Sequence, residues 1–182
     1  MQQNNIGKYI DYFRQLAIKH KNIQHDPTTE TGDGDIEKKR FTTWSNEEVL
    51  SGLRTKISFP ALLIELYENN LSSETVYDIR QRPKGSFTVL EHAATQDLSD
   101  QERAYTLAET IVYDLLKQIW QDTYGKDVDR CQTVFKQFRY NINITPTGKL
   151  FQNEYGFYVE FDFDFQNDID IRIAPDPGTF IN

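Results

Sequence analysis

The sequence has a single cysteine, Cys131, which excludes an intramolecular disulfide and any zinc site built from several cysteines. Basic residues are also scarce, because 20 Lys and Arg stand against 28 Asp and Glu and the formal net charge is -8. Affinity for phosphate comes mainly from Lys and Arg, so this balance argues against a protein that coats duplex DNA. We expect Cys131 to be a small buried hydrophobic residue in a cytosolic setting.

Long apolar runs are missing as well. The longest, Phe59–Ile64, ends at Glu65, whereas a membrane-spanning helix needs about 20 apolar residues. Residues 1–5 show neither the basic nor the apolar segment of a secretion signal. The sequence therefore predicts a soluble protein that does not enter a membrane and is not secreted by a signal peptide.

Aromatic residues are, by contrast, frequent, with 10 Tyr and 12 Phe. Tyr in particular is favoured on surfaces that a partner covers, which favours assembly into a homo-oligomer. A chain of 182 residues is the usual size of one domain and buries about two thirds of its unfolded surface. We predict a single α+β domain over 1–182, with a flexible loop at 25–35 and an irregular tail at 174–182.

The segment 99–124 carries the clearest helical pattern. Ser99 and Glu102 have the spacing of a capping box, and Gly125 supplies a stop signal. Between them, apolar residues recur at three- and four-residue spacing: Ala104, Ala108, Ile111, Leu115 and Ile119. At about 1.5 Å per residue, this helix is long enough to lie across four or five strands.

Periodicity places the other elements around this helix. Helical spacing predicts N-terminal helices at 6–23 and 46–56, the second capped by Ser45, with a short strand at 36–43 between them. Alternating residues predict two hairpins, from strands at 58–67 and 74–91 and from strands at 135–145 and 155–165. We therefore predict an antiparallel sheet of two hairpins with the long helix packed across it.

Details of these hairpins follow from individual residues. Asn69 and Asn70 predict the turn of the first hairpin. Pro83 and Gly85 predict a bulge or a loop in its second strand. A further short strand is predicted at 168–173, after the second hairpin.

The most unusual pattern is an acidic strand. Glu160, Asp162 and Asp164 alternate with three phenylalanines, so the carboxylates lie on one face and the rings on the other, and Asp168 and Asp170 extend the acidic row. Three interpretations compete: a solvated outer face of a half-buried sheet, a divalent-metal site, or the negatively charged lining of a passage surrounded by several copies.

Other patterns that suggest chemistry are weak. Asp33 and Asp35 alternate as in a calcium loop, but the glutamate required at the twelfth position is missing. The histidines are scattered at 20, 25 and 92, and Glu91–His92 is the pair that invites a test. No catalytic triad, nucleophile elbow or phosphate-binding glycine loop is present. We predict no cofactor and no enzymatic activity.

One basic cluster stands out against the acidic background. Arg80, Arg82 and Lys84 lie at the predicted bend of the first hairpin. The cluster is interpreted either as a solvated loop or as a contact for an acidic neighbour, including the acidic strand of the next subunit.

The order of these elements, with the motif Ser58-Phe59-Pro60-Ala61-Leu62 in the first strand, resembles the tail-terminator-like group of neck and tail-completion proteins of tailed bacteriophages and prophages. The resemblance covers residues 5–170 in element order. It implies a ring, commonly of six copies, that joins the tail tube to head-connector proteins in the virion or the bacterial host cytoplasm. DNA would pass through the ring without specific binding, along an acidic lining formed by Glu160, Asp162 and Asp164.

Two other functions remain open. An acidic binding module, such as an immunity protein or an inhibitor of a basic partner, would also use negative charge and exposed Tyr. A divalent-metal-dependent hydrolase would use the carboxylates at 160, 162 and 164 as ligands.

Overall fold

The computed structural model describes residues 5–30, 38–44, 57–73, 79–125, 135–149 and 153–165. Within these residues lie two α-helices, one 3-10 helix and six strands. Their bounds are α1 Asn5–Lys19, the 3-10 helix Pro27–Glu30, β1 Phe41–Trp44, β2 Ala61–Glu65, β3 Glu68–Ser73, β4 Ile79–His92, α2 Leu98–Tyr124, β5 Phe135–Pro146 and β6 Glu154–Phe165.

Several predictions fall outside the described residues. They concern the helix at 46–56, Asp33 and Asp35, the strand at 168–173 and the tail at 174–182. Cys131 also lies there. Of the predicted loop 25–35, the structure describes 25–30, of which Pro27–Glu30 is helical.

The described strands form one mixed sheet in the order β1-β2-β4-β6-β5, with β3 paired to β4 beside β2. An α+β fold is therefore confirmed, but the prediction of an antiparallel sheet made of two hairpins is wrong because β1 runs parallel to β2. Parallel strands need a long crossover, and the segment 45–60 between β1 and β2 is long enough to supply it.

The first predicted hairpin differs in detail. Asn69 and Asn70 lie inside β3 and pair with Pro83 and Arg82 of β4, so the turn predicted there is wrong. Strands β3 and β4 instead connect between Ser73 and Ile79. Pairing with a neighbouring strand has overridden the turn preference of two asparagines.

Strands β2 and β3 together follow one side of β4. Ile64 pairs with Phe87 and Glu68 pairs with Lys84, so three residues on the β2–β3 side span two residues of β4. The extra residue lies in the short connection between β2 and β3. The bulge or loop predicted at Pro83 and Gly85 is wrong, because β4 runs continuously through both residues.

Both helices lie on the same face of the sheet, over an aromatic core. The buried rings come from α1 and from four strands: Tyr9, Tyr12, Phe13, Phe41, Phe87, Phe135, Phe138, Phe161, Phe163 and Phe165. Tyr12 of α1 also donates a hydrogen bond of 2.8 Å to Asp122 of α2. Most of the described phenylalanines thus fill the interior, so the aromatic content of the chain reflects its core as much as any contact surface.

Helix α2 matches the predicted long helix, but its first turn is built differently. The capping box of Ser99 and Glu102 is wrong, since the helix begins at Leu98 after Asp97, which makes no side-chain cap. The carboxylate of Asp100 instead accepts hydrogen bonds from the amide and hydroxyl of Thr95. The predicted stop is confirmed, because the Gly125 N–H donates to the Gln121 carbonyl at 2.7 Å.

Candidate functional site: the open face of the sheet

The face of the sheet opposite the helices, which we call the open face, carries the acidic row of β6. Phe161, Phe163 and Phe165 are at most 2% exposed beneath the helices. On the other side, Glu160 is exposed and Asp162 and Asp164 are half-buried. The alternation along β6 therefore separates a dry aromatic side from a wet acidic side.

Nitrogen donors from β5 stand beside each of these carboxylates. Arg139 Nη2 lies 2.9 and 3.0 Å from the two carboxylate oxygens of Asp164. The side-chain amide of Asn141 approaches Asp162 at 3.4 Å, and that of Asn143 approaches Glu160 at 3.3 Å. Side chains of the chain itself thus satisfy the row.

The neighbour on the other flank is β4, where Lys84 pairs in register with Asp162 of β6 and with Glu68 of β3. Residues directly opposite in a ladder point to the same face with their Cβ atoms about 5 Å apart. Lys84 is exposed, and it places a positive charge within the acidic face of its own subunit.

The predicted position of the basic cluster is therefore wrong. Arg80, Arg82 and Lys84 lie within β4 and not at a bend. The backbones of Arg80 and Arg82 pair with Ser72 and Asn70 of β3. Their predicted contact with a neighbouring subunit stays a prediction, as does the acidic lining. Asp168 and Asp170 lie outside the described residues.

A further carboxylate, Glu65 at the end of β2, lies on the open face. No sequence pattern identified it as a candidate site residue. It accepts hydrogen bonds from the Ser86 hydroxyl at 2.6 Å and from the Tyr158 hydroxyl at 3.2 Å. Burial raises the pKa of Tyr158, and the charges of Glu65 and Glu160 raise it further. The available signal was the abrupt change from an apolar run to an acid at position 65.

The far end of the open face is apolar and ends at His92. Ala61, Leu63 and Leu90 are buried there, with Ile57 and Phe59 packed against them. The His92 ring stacks on Phe59, and His92 Nδ1 lies 3.1 Å from a carboxylate oxygen of Glu154.

The suggested pair of Glu91 and His92 is not formed. Consecutive strand residues point to opposite faces, so Glu91 is buried on the helix side while His92 is exposed on the open side. In the described part of the chain, no hydroxyl or thiol is hydrogen bonded to His92. This arrangement offers an oriented imidazole without a nucleophile.

The other two histidines have structural positions near α1. The buried His25 accepts a hydrogen bond from the Arg40 N–H at 3.2 Å, and its Nε2 lies 2.9 Å from Glu30. Arg14 also donates to Glu30. Burial alone would raise the pKa of Glu30, but the hydrogen bonds from Arg14 and His25 outweigh it and lower that pKa. Burial lowers the pKa of His20, despite Asp114 nearby.

The carboxylates of the open face were also candidates for a divalent-metal site. Across the described ranges, no group of three or more His, Cys, Asp and Glu side chains is arranged to hold a metal ion. The strand carboxylates at 160, 162 and 164 therefore do not converge on one point.

Neither described helix has the length and apolarity needed to cross a membrane.

No protein-family model, curated protein or solved structure matches this chain. The resemblance to tail-terminator proteins stays a prediction, based on the order of the elements and on the motif Ser58-Phe59-Pro60-Ala61-Leu62.

Proposed function

We propose that this protein is a non-enzymatic structural subunit that assembles with copies of itself and turns its open face toward a polyanion that must pass without being bound. The observation that carries the proposal is the hydrogen bonding of the acidic row, whose carboxylates are partnered by β5 side chains of the same chain. Such a surface is ordered before any ligand arrives.

The charge on this face supports repulsion of phosphate. Among the described side chains, five carboxylates at the acidic end of this face stand against two cations, Lys84 and Arg139. They are Glu65, Glu68, Glu160, Asp162 and Asp164. Neighbouring carboxylates on β6 are about 7 Å apart, so they repel a nearby phosphate chain together while water fills the space between them. Of the described side chains, these two cations offset only part of the negative charge.

A ring in the tail or neck of a phage or prophage is the setting that fits these properties. In that setting several copies would surround a channel, with the tail tube and head-connector proteins as neighbours and DNA as the passing polyanion. An acidic wall would lower friction because a polyanion gains no counterion-release energy by touching it.

The first test is mass in solution. Light scattering over a wide range of protein concentration should show an oligomer whose fraction rises with concentration. A purified protein that stays monomeric at the highest concentration measured would overturn the proposal.

The second test is charge reversal of the open face. The variant Glu160→Lys/Asp162→Lys should retard a short DNA duplex in a gel at low salt. The wild type and a matched variant, Glu102→Lys/Glu109→Lys on the exposed side of α2, should leave it free. Equal retardation by the two variants would show that net charge alone decides, and would contradict a special role of the open face.

An acidic binding module is the second candidate, and Tyr158 favours it. This half-buried tyrosine lies between Glu65 and Glu160, a combination that suits a docking Arg or Lys side chain. Tyr158→Phe in a strictly monomeric protein should then weaken binding of a basic protein partner, whereas it should leave the mass of a ring unchanged.

A further inference from the structure

Strand β5 lies at the edge of the described sheet, with β6 on one side and no described strand on the other. It is 12 residues long. Long edge strands invite pairing with another chain, and proteins usually protect them with lysines, prolines or bulges. A register shift against β6 lies between Phe138 and Ile142, but from Ile142 to Thr145 the register is regular and no Lys or Pro occurs.

The hydrogen bonds of β5 show which backbone groups point away from β6. The Thr147 N–H donates to the Gly156 carbonyl at 2.9 Å. Because backbone groups alternate in direction along an antiparallel ladder, Asn143 and Thr145 also point toward β6, while Ile142 and Ile144 point outward. The outer edge therefore presents the N–H and C=O of both isoleucines.

This outward stretch has defined limits. At one end, the Phe138 N–H and C=O point outward too, but the Tyr124 hydroxyl bonds to both, at 2.9 and 2.8 Å. At the other end, Pro146 has no N–H to donate. Within the described part of the chain, no strand therefore pairs with the outer edge over the short segment that includes residues 141–145.

That segment is nearly symmetric about its centre, since it reads Asn141-Ile142-Asn143-Ile144-Thr145. We propose that two copies of this protein pair through it as antiparallel strands, related by a two-fold axis at Asn143. Ile142 of one copy then lies opposite Ile144 of the second copy, and these are the residues whose hydrogen-bonding groups point outward. Asn141 lies opposite Thr145 of the second copy, and no ionisable side chain enters the pairing.

The side chains fit the same arrangement. Ile142 and Ile144 are half-buried against the aromatic core, so pairing would bury more of their apolar surface. Asn141, Asn143 and Thr145 are exposed. The acidic strands of the two copies would stand three strand spacings apart, about 14 Å, which exceeds the Debye length of about 8 Å at physiological salt.

This pairing names the strand through which the copies associate. It depends on the proposed function for one point only, that copies of the protein associate. Its consequence is a continuous sheet across two copies, with the open faces joined into one acidic surface. A larger ring would then be built from such pairs through a second contact.

Crosslinking tests the pairing directly. In a Cys131→Ser background, Asn143→Cys places two thiols opposite each other at the axis, within the Cα separation that a disulfide spans. Mild oxidation should convert this variant to a covalent dimer. The matched variant Asn141→Cys faces Thr145 of the second copy and should crosslink at least tenfold more slowly. Equal crosslinking at the two positions, or none at either, would overturn the proposal.

A second pair of variants keeps the native Cys131 and tests the pairing by charge. Asn143→Lys sets two like charges against each other at the axis and should raise the dimer dissociation constant at least tenfold, while Asn141→Lys should change it little. If both variants associate like the wild type, the pairing is contradicted although self-association stands. If the wild type is monomeric throughout, the proposed function fails as well.

Discussion

Lys84 and Asp162 stand directly opposite each other in the ladder between β4 and β6, on the open face of the sheet. The basic residue that the sequence placed on a separate bend is thus a neighbour of the acidic row in the same molecule. The row is consequently less negative than its sequence suggests, because Lys84 of β4 and Arg139 of β5 offset part of its charge.

A double-mutant cycle between Lys84→Ala and Asp162→Asn should give a coupling free energy of about 0.2–1 kcal/mol, because the pair is solvent-accessible and opposite in register. Urea unfolding of the four proteins measures it. The coupling should shrink toward zero in about 1 M salt, where the Debye length is near 3 Å. A coupling that persists in salt would indicate a desolvated pair.

Asp164 should matter more to stability than Asp162. Asp164→Asn weakens the paired contact with Arg139 and should lower the free energy of unfolding by about 1 kcal/mol. Asp162→Asn should stay within about 0.5 kcal/mol of the wild type. A loss of several kcal/mol for Asp162→Asn would show a buried, tightly paired carboxylate and contradict a wet face.

Glu91 should make stability depend on pH. Burial raises its pKa, and the charges of Arg103, His92 and Arg40 offset only part of that rise. The folded state therefore holds the proton more tightly than the unfolded chain, so this contribution to stability is complete at low pH and is lost as the pH rises through the raised pKa.

Glu91→Gln should consequently be more stable than the wild type at pH 7 to 8. The difference should close as the pH falls below about 4, under the pKa of glutamate in unfolded chains. Thermal unfolding across this range measures it, and Glu109→Gln on the exposed side of α2 controls for the change from acid to amide. A wild type more stable than Glu91→Gln at neutral pH would show that the arginines dominate.

Two glycines should be intolerant of alanine to different degrees. A Cβ at Gly85 would lie 2.6 Å from the Phe161 ring and 2.7 Å from the Tyr9 hydroxyl, both of which are side chains. A Cβ at Gly156 would lie 1.8 Å from the Val89 carbonyl oxygen, which is backbone. Gly85→Ala should therefore cost about 1–3 kcal/mol and Gly156→Ala more. The reverse order in chemical denaturation would contradict the tight strand contact at Gly156.

Local patterns predicted the elements that depend on local periodicity. The stripe from Ala104 to Ile119 fixed α2, and the alternation from Phe161 to Phe165 separated the two faces of β6, since both patterns bury a continuous side. The ends of the elements were predicted less well, because the capping box expected at Ser99 is not formed.

Relations between distant segments were missed because no local signal encodes them. The parallel pairing of β1 with β2 depends on the path of the chain between them, and the turn preference of Asn69 and Asn70 yields to pairing with β4. The meeting of Lys84 with Asp162 depends on the register of β4 against β6. The candidate site could therefore be predicted as an acidic row, but its partners could not.

Imaging of the assembled particle by electron cryomicroscopy tests the central claim most directly, because it shows which way the open face points. The account predicts a closed assembly in which Glu160 and Asp162 line a water-filled passage wide enough for duplex DNA. An assembly that buries these carboxylates between subunits, or turns them to the outer surface, would contradict it.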